Sequence, residues 1–193
     1  MAIKYQTDQC EDRRIHQCDI FRNVPFYESY SEKDGGFELS VLEFPFAIVL
    51  TQECDLEQNV KERTTCPDAD ATIKKHDKFL VSLLCAPLYN AEHLFSGDHL
   101  SYLNISAERK SSDQKSYIKS NREPRYHYIE FNGNIEIVPS VIDFKHYFSL
   151  SLLYLEGNMK KRICSIKPIF RELISQRFSN YLSRIGLPEN KMQ

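Results

Sequence analysis

The densest group of reactive side chains in this chain is Thr51-Gln52-Glu53-Cys54-Asp55, where a thiol and two carboxylates follow a continuous apolar run. The end of a strand holds side chains rigidly yet leaves them open to solvent, so Glu53, Cys54 and Asp55 are candidate catalytic residues. Cys54 becomes a nucleophile when a histidine lowers its pKa. His127 or His146 is the candidate base and Asp143 its orienting carboxylate, the logic of a thiol hydrolase. The same residues also have an ordinary reading: Cys54 as a small half-buried side chain and Asp55 as the cap of a short helix.

A second group occupies residues 109–128. Arg109, Lys110, Lys115, Lys119, Arg122 and Arg125 surround Tyr117, Tyr126 and Tyr128. Cations meet phosphates while exposed rings stack on unpaired bases, which is how single-stranded RNA or DNA is held. Glu108, Asp113 and Glu123 dilute the charge, and a mixed-charge stretch also fits a solvated surface excursion. If the strand is cut, Arg125 carries the phosphate charge, His127 moves the proton, and Asp55 or Glu53 assists from the neighbouring strand end. His146 shares a strand face with Phe144 and Phe148, so it reads as a packed histidine.

Zinc ligands could be drawn from Cys54, Cys66, His76 and Cys85, or from Cys10, His16 and Cys18. There is no Cys-x-x-Cys pair, the close spacing that carries a zinc assignment. The six cysteines therefore read as scattered reduced thiols, and neither a metal nor a cofactor is expected.

These residues need a scaffold, and the hydrophobic pattern supplies one. Alternation predicts strands at 18–27 and 37–43, separated by Asp34-Gly35-Gly36, and the β-branched run Pro45–Thr51 predicts a buried central strand. Residues 53–77 predict a short helix and a loop, 78–87 another buried strand, and 88–95 a short helix stopped by Gly97. Residues 106–125 read as a surface excursion ended by Pro124. Tyr126–Leu155 predicts a hairpin or meander turned at Asn132-Gly133-Asn134. Pro168 to Ile185 predicts an amphipathic helix, with Pro168 at its start and Gly186 and Pro188 past its end.

The segment Cys18-Asp19-Ile20-Phe21, a polar loop, and then Pro45-Phe46-Ala47-Ile48-Val49-Leu50-Thr51 resembles the opening of SH3-like barrels of the MazF and PemK toxin type. That family has an early Gly-Asp-Ile strand and an Arg-Pro-Ala-Val-Val-Leu-Ser strand. The resemblance covers about the first 55 residues and implies a barrel of the toxin or phage-defence type acting on RNA as an endoribonuclease. The family's arginine precedes its strand, and the matching positions here are Phe44 and Pro45. The barrel is thus implied more directly than the cleavage.

A chain of 193 residues with one apparent core is expected to form a single domain, a β-barrel body at about 15–166 and a helix at about 168–185. The expected class is α+β: a partly open, mostly antiparallel SH3-like barrel with insertions. Twenty-five Lys and Arg against 27 Asp and Glu exclude a whole-molecule field for nucleic acid or an acidic membrane, so any such contact is local. No apolar run suits a signal peptide or a membrane span, and the cytosol is the expected compartment. The rival to a nucleic-acid protein is a non-catalytic interaction module that binds a co-encoded protein partner through its C-terminal helix.

Overall fold

The computed structural model describes residues 4–8, 13–65, 77–133 and 135–184. Its strands are Lys4–Tyr5 (β1), Thr7–Asp8 (β2), Asp19–Lys33 (β3), Gly36–Val49 (β4), Ser82–Asn90 (β5), Tyr126–Phe131 (β6), Ser140–Asp143 (β7), Phe148–Ser151 (β8) and Arg162–Ile166 (β9). The helices are Glu53–Thr65 (α1), Ala91–Ser96 (α2), Ser112–Lys119 (α3), Leu152–Gly157 (α4) and Pro168–Leu182 (α5). The result is a mixed α+β structure around a nearly closed barrel.

The strand order is β1-β6-β7-β5-β4-β3-β9-β2, with β8 added to β5. Its two ends, β1 and β2, are joined through Gln6 alone, so one short segment closes the seam. Tyr5 lies parallel against Phe131, and Thr7 lies antiparallel against Ile166. Backbone hydrogen bonds from Asn132 N–H to the Tyr5 carbonyl and from Lys167 N–H to the Gln6 carbonyl, each 3.0 Å, fasten it.

The expected second and third strands are one strand, and β3 with β4 makes a single long hairpin. Its turn uses Asp34 at φ 50° and Gly35 at φ 77°, the paired positive angles that fit a tight hairpin to the strand twist. Pro45 does not start a new strand. It falls opposite Asn23, which sits at φ 52° between the pairs Arg22–Phe46 and Val24–Phe44, so its missing N–H coincides with a local irregularity.

Successive residues of the central strands feed two cores. Ile20, Ile48, Ala86, Ile129, Ile142 and Cys164 join Tyr5 and the α5 residues Ile174 and Phe178 in one of them. Phe21, Ala47, Val49, Leu83, Cys85 and Val141 join Leu56 of α1, Leu94 and Phe95 of α2, Ile118 of α3 and Leu155 of α4 in the other. A strand buried on both faces reads as a continuous apolar run, which is why Pro45–Thr51 stands out in the sequence. Burying one such side chain contributes about 1.5–3 kcal/mol.

Three stretches are more helical than their sequence suggests. The polar region 106–125 contains α3, held by a capping box in which Ser111 and Gln114 satisfy each other's backbone N–H groups. Residues 152–157, expected in a strand, form α4 because Leu152 and Leu155 meet the core at helical spacing. The expected short helix after Gln52 runs through thirteen residues to Thr65. Pro168 begins α5 as expected, while Ile185, Gly186, Pro188 and the turn residue Asn134 lie outside the described residues. No described helix is long and apolar enough to cross a membrane.

Candidate functional site

The strand-end group resolves into an anchor and two exposed residues. Glu53 opens α1, and its carboxylate accepts hydrogen bonds from the Arg14 guanidinium, from Gln17 N–H at 2.8 Å and from Arg171 Nη1 at 3.3 Å. His16 Nδ1 lies 2.9 Å from the same carboxylate. Burial opposes ionisation of Glu53, but His16, the Gln17 N–H and Arg14 outweigh it and hold the carboxyl below its usual range. Beside it, the buried Asp19 accepts from His16 N–H at 2.9 Å, from Arg162 at 3.1 Å and from the Ser165 hydroxyl. Glu53 thus ties residues 14–17 and α5 to the start of α1. Cys54 and Asp55 are exposed on the same turn, with the Cys54 Sγ 3.6 Å from both Gln52 and Asp55 side chains.

His127 faces the α5 core. Its Nε2 is 2.7 Å from the Tyr5 hydroxyl, and burial, with the Arg177 charge in support, pushes its pKa down to about 3. The imidazole is therefore neutral at physiological pH and is not joined to Arg125, although the two are nearly adjacent in sequence. The proposed zinc ligands divide similarly: Cys18 and Cys85 are buried free thiols, Cys54 is exposed, and Cys10, Cys66 and His76 lie outside the described residues.

The basic and aromatic stretch splits by strand and helix. Arg109, Tyr117, Lys119 and Arg122 are exposed, and Lys110, Lys115 and Arg125 are half-buried. Tyr126 and Tyr128 are core residues of β6, so neither ring is free to stack on a base as the sequence suggests. Tyr128 is locked further by its backbone N–H, which donates to Asn121 Oδ1 at 2.6 Å. Lys115 and Lys119 both lie over the Phe95 ring.

What the fold does assemble is a cleft of about 250 Å³ lined by Lys110, Gln114, Tyr117, Ile118, Glu123, Arg125 and Tyr126. Lys110 is positioned by its N–H bond to the Phe95 carbonyl. The same return of the chain packs the Ala107 carbonyl against Gly97, where φ is 92° and a Cβ would collide with it. Gly97 is required there for both reasons.

One wall of this cleft belongs to a polar cluster. Arg125 donates two parallel bonds to the fully buried Asp143, Nε to Oδ1 at 2.8 Å and Nη2 to Oδ2 at 2.5 Å. His146 Nδ1 lies 3.3 Å from the same carboxylate and 3.0 Å from the Tyr89 hydroxyl. His99 packs edge-on against Tyr89 with its Nδ1 buried and without a hydrogen-bond partner among the described residues. Burial pushes His99 down to about 4 and lowers His146, against the pull of Asp143, and it raises the Tyr89 phenol. With Nδ1 engaged on Asp143 and Tyr89, the other ring nitrogen of His146 remains for chemistry, the arrangement of an oriented general base.

Sequence reasoning places His146 on a strand face with Phe144. The chain instead makes a 3₁₀ turn at Phe144–His146, capped by Asp143, whose Oδ1 accepts from Lys145 N–H at 3.0 Å. That turn brings Asp143 and His146, three apart, into contact. Tyr89 and His99 carry no sequence signal: the pairing of β5 with β7 brings Tyr89 to this turn, and His99 joins it by packing on the Tyr89 ring. Comparison with protein-family models, curated proteins and solved structures found no match.

Proposed function

We propose that this chain is a barrel protein of SH3-like character, of the toxin or phage-defence-associated type, that contacts RNA or single-stranded DNA through the cleft of Lys110, Tyr117 and Arg125. The observation carrying the reading is that two cations and an exposed aromatic ring line one cleft. Phosphates are met by the cations, and an unpaired base stacks on Tyr117. Under this reading, cleavage would not use His127, which is buried against Tyr5. The test is fluorescence anisotropy with a labelled single-stranded RNA from low to physiological salt, using Lys110→Ala and Tyr117→Ala. Binding that strengthens as salt falls and weakens in both variants supports the reading, whereas no binding at low salt ends it.

The second reading, an interaction module for a co-encoded partner, is favoured by the β3–β4 hairpin. Its outer half exposes Tyr27, Tyr30, Phe37, Leu39 and Val41, with Tyr30 and Phe37 about three-quarters accessible (75% and 76%). Tyr30 pairs directly with Leu39, and Tyr27 with Val41, so the residues form one stripe. Glu28, Glu32, Asp34, Glu38 and Glu43 flank it against Lys33 alone, so the partner surface it fits is apolar and rimmed by Lys and Arg. By contrast α5 spends Ile174 and Phe178 on its own barrel and leaves Ile169 and Leu182 exposed. A stoichiometric basic partner that co-purifies with the wild type but not with Tyr30→Ser/Phe37→Ser supports this reading. A partner retained by that variant counts against it.

A further inference from the structure

A second cleft reaches the same polar cluster through His146 and Tyr89. It measures about 340 Å³ and is walled by Phe26, Phe44, Tyr89 and Tyr147, with His146 and Lys145 at its polar edge. Glu28 also lines it, and Leu42, Leu100 and Ile105 complete the apolar wall. Arg125 belongs to the first cleft and His146 to the second, and both touch the same Asp143 carboxylate. The two clefts are therefore linked through the Asp143 carboxylate.

We propose that this aromatic cleft is a nucleobase pocket, so that a single strand is held in two places, phosphate and one base at the Lys110 cleft and a neighbouring base here. The inference rests on the nucleic-acid reading and adds the residues that read a base. A volume of this size lined by aromatic and aliphatic walls, with few convergent polar groups, is the general form of a small-ligand site. Phe26 and Tyr147 provide ring faces and edges for a planar heterocycle, and Lys145 provides charge for its phosphate. His146 supplies directionality. The Asp143 carboxylate favours a proton on Nδ1, which leaves Nε2 as an acceptor for a ring or exocyclic N–H of the base. Tyr89 fixes the imidazole plane from behind.

The test uses three six-nucleotide single strands of equal charge: one with natural bases, one with a single central abasic site, and one with 2-aminopurine at that position. The natural strand is expected to bind about 10-fold more tightly than the abasic one, and the 2-aminopurine fluorescence to be quenched on binding. Tyr147→Ala, checked for native circular dichroism, should remove both the preference and the quenching while leaving the affinity for the abasic strand unchanged. If natural and abasic strands bind equally, the pocket is refuted and the phosphate cleft stands. If neither strand binds at low salt, both are refuted together.

Discussion

The two buried histidines should make stability fall steeply with acid, and the size of the effect follows from their surroundings. His127 is fully enclosed beside Tyr5 and titrates at about 3, against about 6.5 for an unfolded histidine. Between these values the unfolded chain binds a proton that the folded chain does not, so folding loses about 1.4 kcal/mol for each pH step of one below 6.5. At pH 5 the loss from His127 is about 2 kcal/mol relative to pH 7.5. His99, held at about 4, loses a similar amount over the same interval. The sign is fixed: both contributions are complete above about pH 7 and vanish as the pH drops through the window from 6.5 to 3. Urea unfolding at pH 7.5 and 5.0 measures the difference. His127→Gln, which keeps a polar group for the Tyr5 hydroxyl, should reduce the wild-type loss between those pH values by about 2 kcal/mol, and the double variant with His99→Gln by about 4 kcal/mol. The comparison within each variant cancels any general destabilisation. If His127→Gln loses as much stability as the wild type on going to pH 5, His127 is not a buried neutral imidazole and its placement against Tyr5 is wrong.

Arg125→Ala should cost about 3 kcal/mol in urea unfolding at neutral pH, because it leaves the fully buried Asp143 without its two-bond partner; a loss under about 1 kcal/mol would show that His146 and the Lys145 N–H suffice for the carboxylate. Among the described thiols, Cys54 should be the one alkylated quickly in the native protein, with Cys18, Cys85 and Cys164 protected until unfolding. Peptide mapping after brief alkylation reads this directly, and rapid labelling of Cys18 or Cys85 would contradict the packing of the two cores. Gly97→Ala should displace the 107–110 segment and weaken RNA binding more than Gly133→Ala does, since a Cβ at Gly133 meets open space.

How far the sequence reached can be judged element by element. Pro45–Thr51 announced itself because a strand buried on both faces has no polar positions to interrupt the apolar run. Pro168 marked the start of α5 for a local reason as well, the missing N–H that the first turn does not need. Helix α3 was hidden because its stability comes from a capping box and a single buried residue, Ile118, so its sequence looks like a loop. The site was legible in composition but not in assembly. Arg125 and Lys110 stood out as cations near aromatics, yet Tyr126 and Tyr128 are core residues because β6 is buried on both faces, which the period of a six-residue strand does not declare. His127 drew attention by its nearness to Arg125, but Arg125 lies in the turn before β6, so strand alternation does not bring the two side chains together. Asp143 and His146 met only through a 3₁₀ turn, Tyr89 joined them only through the long-range pairing of β5 with β7, and His99 only by packing on Tyr89.

The short seam at residues 4–8 ties the barrel's completion to the order in which the polypeptide gains its contacts. Tyr5 is partnered by Phe131 and Thr7 by Ile166, separations well over a hundred residues, so the entropic cost of joining them precedes any reward. The β3–β4 hairpin can form as soon as its own residues exist, whereas the seam must wait until β9 has been synthesised. A nascent chain therefore holds an open sheet, with the edge of β3 unpaired until β9 emerges, for most of its synthesis, and that edge is where misassembly between chains would begin.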